Sequence, residues 1–300
     1  PGEQVVRFKY SPDSVKYGLY ASFIVALVLF LLFCGWTWGR FYREETDAED
    51  VQRVAKNSLV PMGASLLNKG IDFAFALLRL RILTPVGEGS YTTAIVFIGY
   101  FEIFVRFGLG TLLTREVAGD RSQANRYFTN TLVLRTLLMV LSLPVMSLLL
   151  AVYVRVGNIS QEELLAIGLF TVGLFFGNVA DAVSATFNAY EKMEYPAGIS
   201  VAVALSKVTL GALVLIAGWG FVGLAGVSVV TNVLQAGWLL WLLRRRLFHP
   251  VWEVEFGQQR QMLSTSFPLM INHFLATIFF RVDVLILRPL KGEATVGVYG

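Results

Sequence analysis

The 300 residues include one cysteine, Cys34, and two histidines, His249 and His273. A single thiol excludes an intrachain disulfide and any cysteine-cluster metal site. Two histidines so far apart in sequence exclude the paired-histidine helix of a zinc protease. No phosphate-binding loop, nucleophile elbow or dinucleotide fingerprint occurs, so nothing in the chain draws on nucleotide hydrolysis. Charge is scarce as well: charged residues make up 15% of the chain and hydrophobic ones 55%. A soluble domain needs a polar surface, and this composition leaves too little for one. The net charge of +4 does not form a basic patch interleaved with aromatics, which excludes a nucleic-acid partner.

The chain does contain apolar stretches close to bilayer-spanning length. About 20 apolar residues in helix cross a hydrocarbon core of about 30 Å. Such runs fall at 17–38, 58–82, 91–113, 128–153, 163–188, 197–217, 222–243 and 262–288. They predict an all-α integral membrane protein with about eight transmembrane helices. Basic residues cluster in every second connection: Arg40, Arg43, Arg53 and Lys56; Arg115, Arg121 and Arg126; Lys192; Arg244, Arg245, Arg246 and Arg260. The positive-inside rule places these connections in the cytoplasm, although Arg79/Arg81 and Arg288/Lys291 run against it. Before the first run, Val6, Phe8 and Tyr10 alternate with Arg7 and Lys9, the period of a half-buried strand. The charged segment to Asn57 reads as a helix on the membrane surface, with Thr46 and Glu49 at capping-box spacing. Pro1 and Gly300 both read as cuts through a longer protein.

Ser58-Leu59-Val60-Pro61 opens one span and is followed by Gly89-Ser90-Tyr91. Ser266-Phe267-Pro268 opens another and is followed by Gly297-Val298-Tyr299. Six spans separate the two starts, so both copies enter from the same side, the pattern of a parallel repeat. The expected division is an extracytoplasmic β segment (1–16), a transmembrane helix of a preceding module (17–38) and a cytoplasmic interfacial helix (39–57). A six-helix lobe (58–243), a cytoplasmic linker (244–261) and the start of a second lobe (262–300) follow.

A charge at bilayer depth costs about 2.5–3.5 kcal/mol on insertion scales, so it faces a partner or a wet cavity. Asn68, Asp72 and Arg79 share one helix face, with Lys69 in reach of Asp72. Arg79 could equally snorkel to the outer interface. Asn178, Asp181, Ser184 and Asn188 line one face of the fifth span, where Gly173 and Gly177 permit close helix contact. Asp181 has no basic neighbour within a turn and needs a partner from elsewhere. Lys207 sits near the middle of the sixth span. In the last span His273, Thr277, Arg281 and Arg288 share one side, and Asp283 lies about 200° from Arg281. Glu102 and Arg106, at i and i+4, should pair within their own helix. Ser160 and Glu163 have helix-cap spacing. The candidate substrate-binding residues are Arg79, Lys207, Arg281, Asp72, Asp181, Asn178 and Asn68. Arginine and lysine in a cavity suit phosphate, unless each pairs with a carboxylate of a neighbouring helix.

From about residue 50 onward the chain resembles the Wzx-like oligosaccharide flippases, relatives of the multidrug and lipid II exporters. The resemblance is carried by Leu78-Arg79-Leu80-Arg81-Ile82-Leu83 with Gly87-Glu88-Gly89-Ser90-Tyr91, and by Phe107-Gly108-Leu109-Gly110 leading to Thr114-Arg115-Glu116. Phe267-Pro268, Arg281-Val282-Asp283-Val284-Leu285-Ile286-Leu287 and Gly297-Val298-Tyr299 complete it. It implies a two-lobe transporter of twelve or more spans, of which one lobe and the first helix of the next are present. The implied activity is transfer of lipid-linked oligosaccharides across the bacterial cytoplasmic membrane by alternating access, not enzymatic catalysis. The implied partners are a lipid-linked glycan, membrane lipids and envelope-glycan biosynthesis proteins. No cofactor is implied, and ion coupling to Na+ or H+ stays open. Gly2-Glu3-Gln4-Val5-Val6-Arg7-Phe8 with Tyr10-Ser11-Pro12 resembles the C-terminal end of YfhO-like membrane proteins. Three alternatives remain: a multidrug or small-cation exporter of the same fold, using Asp72 or Asp181; a membrane glycosyltransferase whose active site lies elsewhere; and a non-transporting scaffold.

Overall fold

The computed structural model describes residues 50–157, 159–292 and 295–297. The expected strand over 1–16, the span over 17–38 and most of the surface helix over 39–57 lie outside these residues. Among the described residues the regular structure is helical. A helix satisfies its own backbone donors and acceptors, which a hydrocarbon core demands. Among the described residues, six helical segments are long and apolar enough to cross a membrane.

Helix α1 (Asp50–Ile82) is 33 residues long and does not restart at Ser58, because no breaker stands between residues 50 and 58. It is long enough to span, but Asn68, Lys69 and Asp72 keep it outside the six apolar segments. Helix α2 (Pro85–Arg106) begins earlier than the apolar pattern suggests. The Thr84 hydroxyl accepts from the Gly87 amide at 3.2 Å, and Pro85 occupies the first turn, where its missing N–H costs nothing. Glu88, Gly89 and Ser90, which the apolar pattern leaves between two spans, are therefore buried with Tyr91 in the first turns of a helix.

The expected unbroken span over 91–113 is in fact two helices. Phe107 (φ 49°) and Gly108 (φ 70°) both adopt left-handed backbone and end α2; α3 (Leu109–Gly119) then starts in a new direction. A Cβ on Gly108 would lie 2.7 Å from Leu269 Cβ and 3.3 Å from the Ser266 carbonyl oxygen. Only glycine meets both the conformation and the approach of the neighbouring helix. Past the break, Leu109 and Leu112 pack with Leu134 and Met262. Leu113 and Val117 pack with Ala124, Ala185 and Ala189. The short α3 is thus a central pin around which three other helices assemble.

Asp120 caps a 3-10 turn (Arg121–Gln123) that leads into α4 (Ala124–Gly157). The outer half of α4 presents Leu137, Val140, Leu141, Val145, Leu148 and Val152, each more than half exposed. A face this apolar is solvated by lipid, not water. Helix α5 (Gln161–Ala189) opens with the capping box Ser160/Glu163 that the spacing predicts. Helix α6 (Glu194–Ile216) turns at Gly218 into α7 (Gly220–Arg246). The expected close contact at Gly173 and Gly177 is made with α7: a Cβ at Gly173 would meet Asn232 Nδ2 at 3.1 Å and Val229 Cα at 3.7 Å. Lipid tails are as apolar as leucine, so contact between spans rests on this kind of fit.

From Leu247 to Glu255 the chain runs as an irregular strap before α8 (Phe256–Lys291). The head of α4 pins this strap. The Asn125 amide bonds both N and O of Val251, at 2.8 and 3.0 Å, and the Thr129 hydroxyl donates to the Val251 oxygen. The fully buried Asn130 donates to the Glu253 oxygen and accepts from the Glu255 amide, each at 3.0 Å. Arg126 pairs with Glu255.

Candidate functional site

Helices α2, α3, α4, α5 and α8 enclose a hollow of about 360 Å³ at the level of the helix break. Its wall carries Glu102 and Arg106 from the last turns of α2, Gly108, Gly110 and Thr111 from the break, Arg135 from α4 and Asp181 from α5. His273 and Thr277 of α8 complete it. The charges form one network. Arg106 lies 2.6 Å from Glu102 and 3.7 Å from Asp181. Arg135 lies 3.3 Å from Asp181 and donates to the Asn178 carbonyl at 2.9 Å. Its side chain is only 2% exposed and its Nε has no partner.

The hollow also receives the start of α3, which no side chain caps. The first amides of a helix lack partners within it and carry the positive end of its dipole. Two guanidinium groups and a helix N-terminus therefore converge on one space, with Glu102 and Asp181 as their resident counter-ions. An anion entering this space could exchange partners with the carboxylates and would not need to create a site from nothing.

A second hollow, about 390 Å³, lies between α1, α5, α6 and α7. Asn68, Lys69 and Asp72 of α1 face Ser184 and Asn188 of α5, Ser200 of α6 and Gln235 of α7. Asn68 Nδ2 donates to Ser200 Oγ at 3.0 Å, while Asn68 Oδ1 is buried without a partner.

The structure distributes the expected site residues unevenly. Asp181 lines the charged hollow and finds its partners on two other helices. Asn68 and Asp72 line the second hollow; Lys69 and Asp72, although three residues apart, form no ion pair there. Asn178 is 4% exposed and reaches neither hollow; it borders a void of about 10 Å³ beside Arg135. Arg79 also lines neither. It grips Glu88 through Nε at 2.9 and 2.8 Å and Nη2 at 2.6 Å, and stacks on the Tyr91 ring at 4.3 Å. Lys207 is half-buried on α6, lines neither hollow and makes no ion pair among the described residues. Arg281 is on α8, and its side chain lies outside the described residues. Glu102 and Arg106 pair as expected, and both line the charged hollow. Sequence reasoning missed Arg135, although it is the one charged residue in the expected span over 128–153 and was there to be noticed.

Residues 54–300 match the family model for polysaccharide biosynthesis proteins. No curated protein and no solved structure matches the chain.

Proposed function

The chain belongs to the polysaccharide biosynthesis protein family, and from that premise we propose that it moves lipid-linked glycan precursors across the bacterial cytoplasmic membrane. The supporting observation is the charged hollow. Arg135, buried in a membrane span, shares this space with Arg106 and the bare N-terminus of α3. Cations and helix dipoles held at bilayer depth suit the phosphates that join such a glycan to its lipid. Glu102 and Asp181 would hold the arginines when no substrate is bound and release them to it, so the protein's charge stays balanced in both conditions. The parallel repeat read in the sequence fits two bundles rocking about this level. The exporter reading needs a carboxylate free for a cation; Asp181 is paired with Arg135, which leaves Asp72 of the second hollow to carry that reading.

The test is translocation of a fluorescent polyprenyl-pyrophosphate glycan by the full-length protein in proteoliposomes. Arg106→Gln is the informative variant, because Arg106 is 44% exposed and its loss should leave folding intact. Transport should fall about tenfold or more, the effect of losing one charge-assisted contact. Unchanged transport by a folded Arg106→Gln protein would remove the charged hollow from the mechanism.

A further inference from the structure

The two hollows share one wall. Asp181 belongs to the charged one, Ser184 and Asn188 to the other, and all three lie within an arc of about 60° on α5. Asp181 and Asn188 are separated by about 10 Å of helix rise. The second hollow is closer to the end of the bundle that carries Lys192 and Arg244–Arg246, the cytoplasmic end by the charge rule.

The chemistry of the second hollow differs from the first. It holds no arginine, and the formal charges of its one lysine and one aspartate, Lys69 and Asp72, sum to zero although the two do not pair. What remains is amide and hydroxyl. The side-chain amides of Asn188 and Gln235 form no hydrogen bond among the described residues, and Asn68 Oδ1 is a buried acceptor without a donor. The Ser184 and Ser200 hydroxyls donate to their own helices, at 2.9 and 2.8 Å, which leaves oxygen lone pairs available. Each amide offers two donors and an acceptor; Asn188 and Gln235 are half-buried, and the buried Asn68 Oδ1 calls for a donor. A neutral ligand dense in hydroxyl and acetamido groups meets both demands, which neither a phosphate nor a lipid tail does.

The geometry points to a glycan subsite in the second hollow, formed by Asn68, Ser184, Asn188, Ser200 and Gln235. It rests on the transporter reading and adds a division of labour to it. The phosphates sit beside Arg135, and the first sugars extend along α5 toward the cytoplasmic end, over a distance that a pyrophosphate-linked sugar and its neighbour bridge. The amides select for sugar, because a site built to hydrogen-bond hydroxyls rejects a ligand that lacks them.

Two probes separate the subsites in full-length protein in nanodiscs, with binding read by native mass spectrometry. One is the lipid-linked glycan pool extracted from the producing cells; the other is polyprenyl pyrophosphate without sugar. Wild-type protein should bind the glycan-bearing pool at least about tenfold more tightly. Asn68→Leu combined with Asn188→Leu should bind both probes equally, at the wild-type level for polyprenyl pyrophosphate. Should that pair fail to fold, the milder Ser184→Ala with Gln235→Ala should reduce the preference at least threefold. Arg106→Gln should weaken both probes alike. The glycan subsite is overturned if wild-type protein shows no preference, or if the folded amide variants keep it. Binding of neither probe by wild-type protein would instead overturn the transporter reading, and the subsite with it.

Discussion

Replacing Arg135 by Met keeps an unbranched apolar stem and removes the guanidinium with its charge. Losing one partner of a fully buried ion pair costs about 3–5 kcal/mol. Two facts reduce that figure here. The Asp181 side chain is 36% exposed, so solvent screens the carboxylate left behind. Arg106 also stands 3.7 Å away and can close on it. Against this, the variant loses the hydrogen bond to the Asn178 carbonyl, about 1–2 kcal/mol for a charged donor. The balance is a destabilisation of about 1–3 kcal/mol. Asp181→Asn should cost less than Arg135→Met, since it leaves the cation the less exposed of the two groups but still bonded to Asn178. In a double-mutant cycle the two changes should couple by about 1–2 kcal/mol, because they remove one shared contact. The measurement is equilibrium unfolding in mixed micelles titrated with SDS, followed by far-UV circular dichroism. Additive losses, or an Arg135→Met protein as stable as wild type, would refute the claim that this pair is coupled at all.

Two further outcomes follow from other parts of the fold. Asn130→Ala should loosen the Glu253–Glu255 end of the strap, which Asn125 and Thr129 still hold at Val251, costing about 1–3 kcal/mol for the lost buried bonds, and Glu-specific protease should then cut after Glu253 or Glu255 at least about tenfold faster; an unchanged cleavage rate would show that Asn130 does not hold that end. Hydrogen bonds from the Ser122 and Gln123 side chains and the Ser122 amide hold the Asp120 carboxyl below the usual 3.8; its contribution is therefore complete above that value and is lost as pH falls through the lower folded one, so Asp120→Asn should flatten the melting temperature between pH 4 and pH 2 relative to wild type.

Local features were legible in the sequence where their cause is local. The Ser160 cap and the Glu102–Arg106 pair each depend on residues within about a turn of one helix, and the Gly173/Gly177 spacing marked a close approach without naming α7 as its partner. The helix break was signalled by Phe107-Gly108-Leu109-Gly110, two glycines inside an apolar run, but apolarity alone cannot show where a span bends. Arg79 was misplaced for a different reason. Its partner Glu88 is nine residues away across a helix boundary, where helical periodicity carries no information. Lys207 was favoured for its depth, yet depth does not say which way a side chain points. The charged hollow needed five helices to be brought together, and only Asp181 of its ionisable groups was counted toward a site.

The strap has a mechanical consequence. Displacing α8 from α4 means breaking the bonds from Asn125, Thr129 and Asn130 together, with the Arg126–Glu255 pair. Helix α1 is tied far more lightly: among the described residues it leans on α6 through the Phe75 ring beside Gly211 and the single Asn68–Ser200 bond, and on α2 through Arg79. Stiffness is therefore concentrated on one flank of the bundle and compliance on the other. Force applied at the cytoplasmic end would part the α1–α6 seam before it disturbed the strap, and that seam is the mouth of the amide-lined hollow.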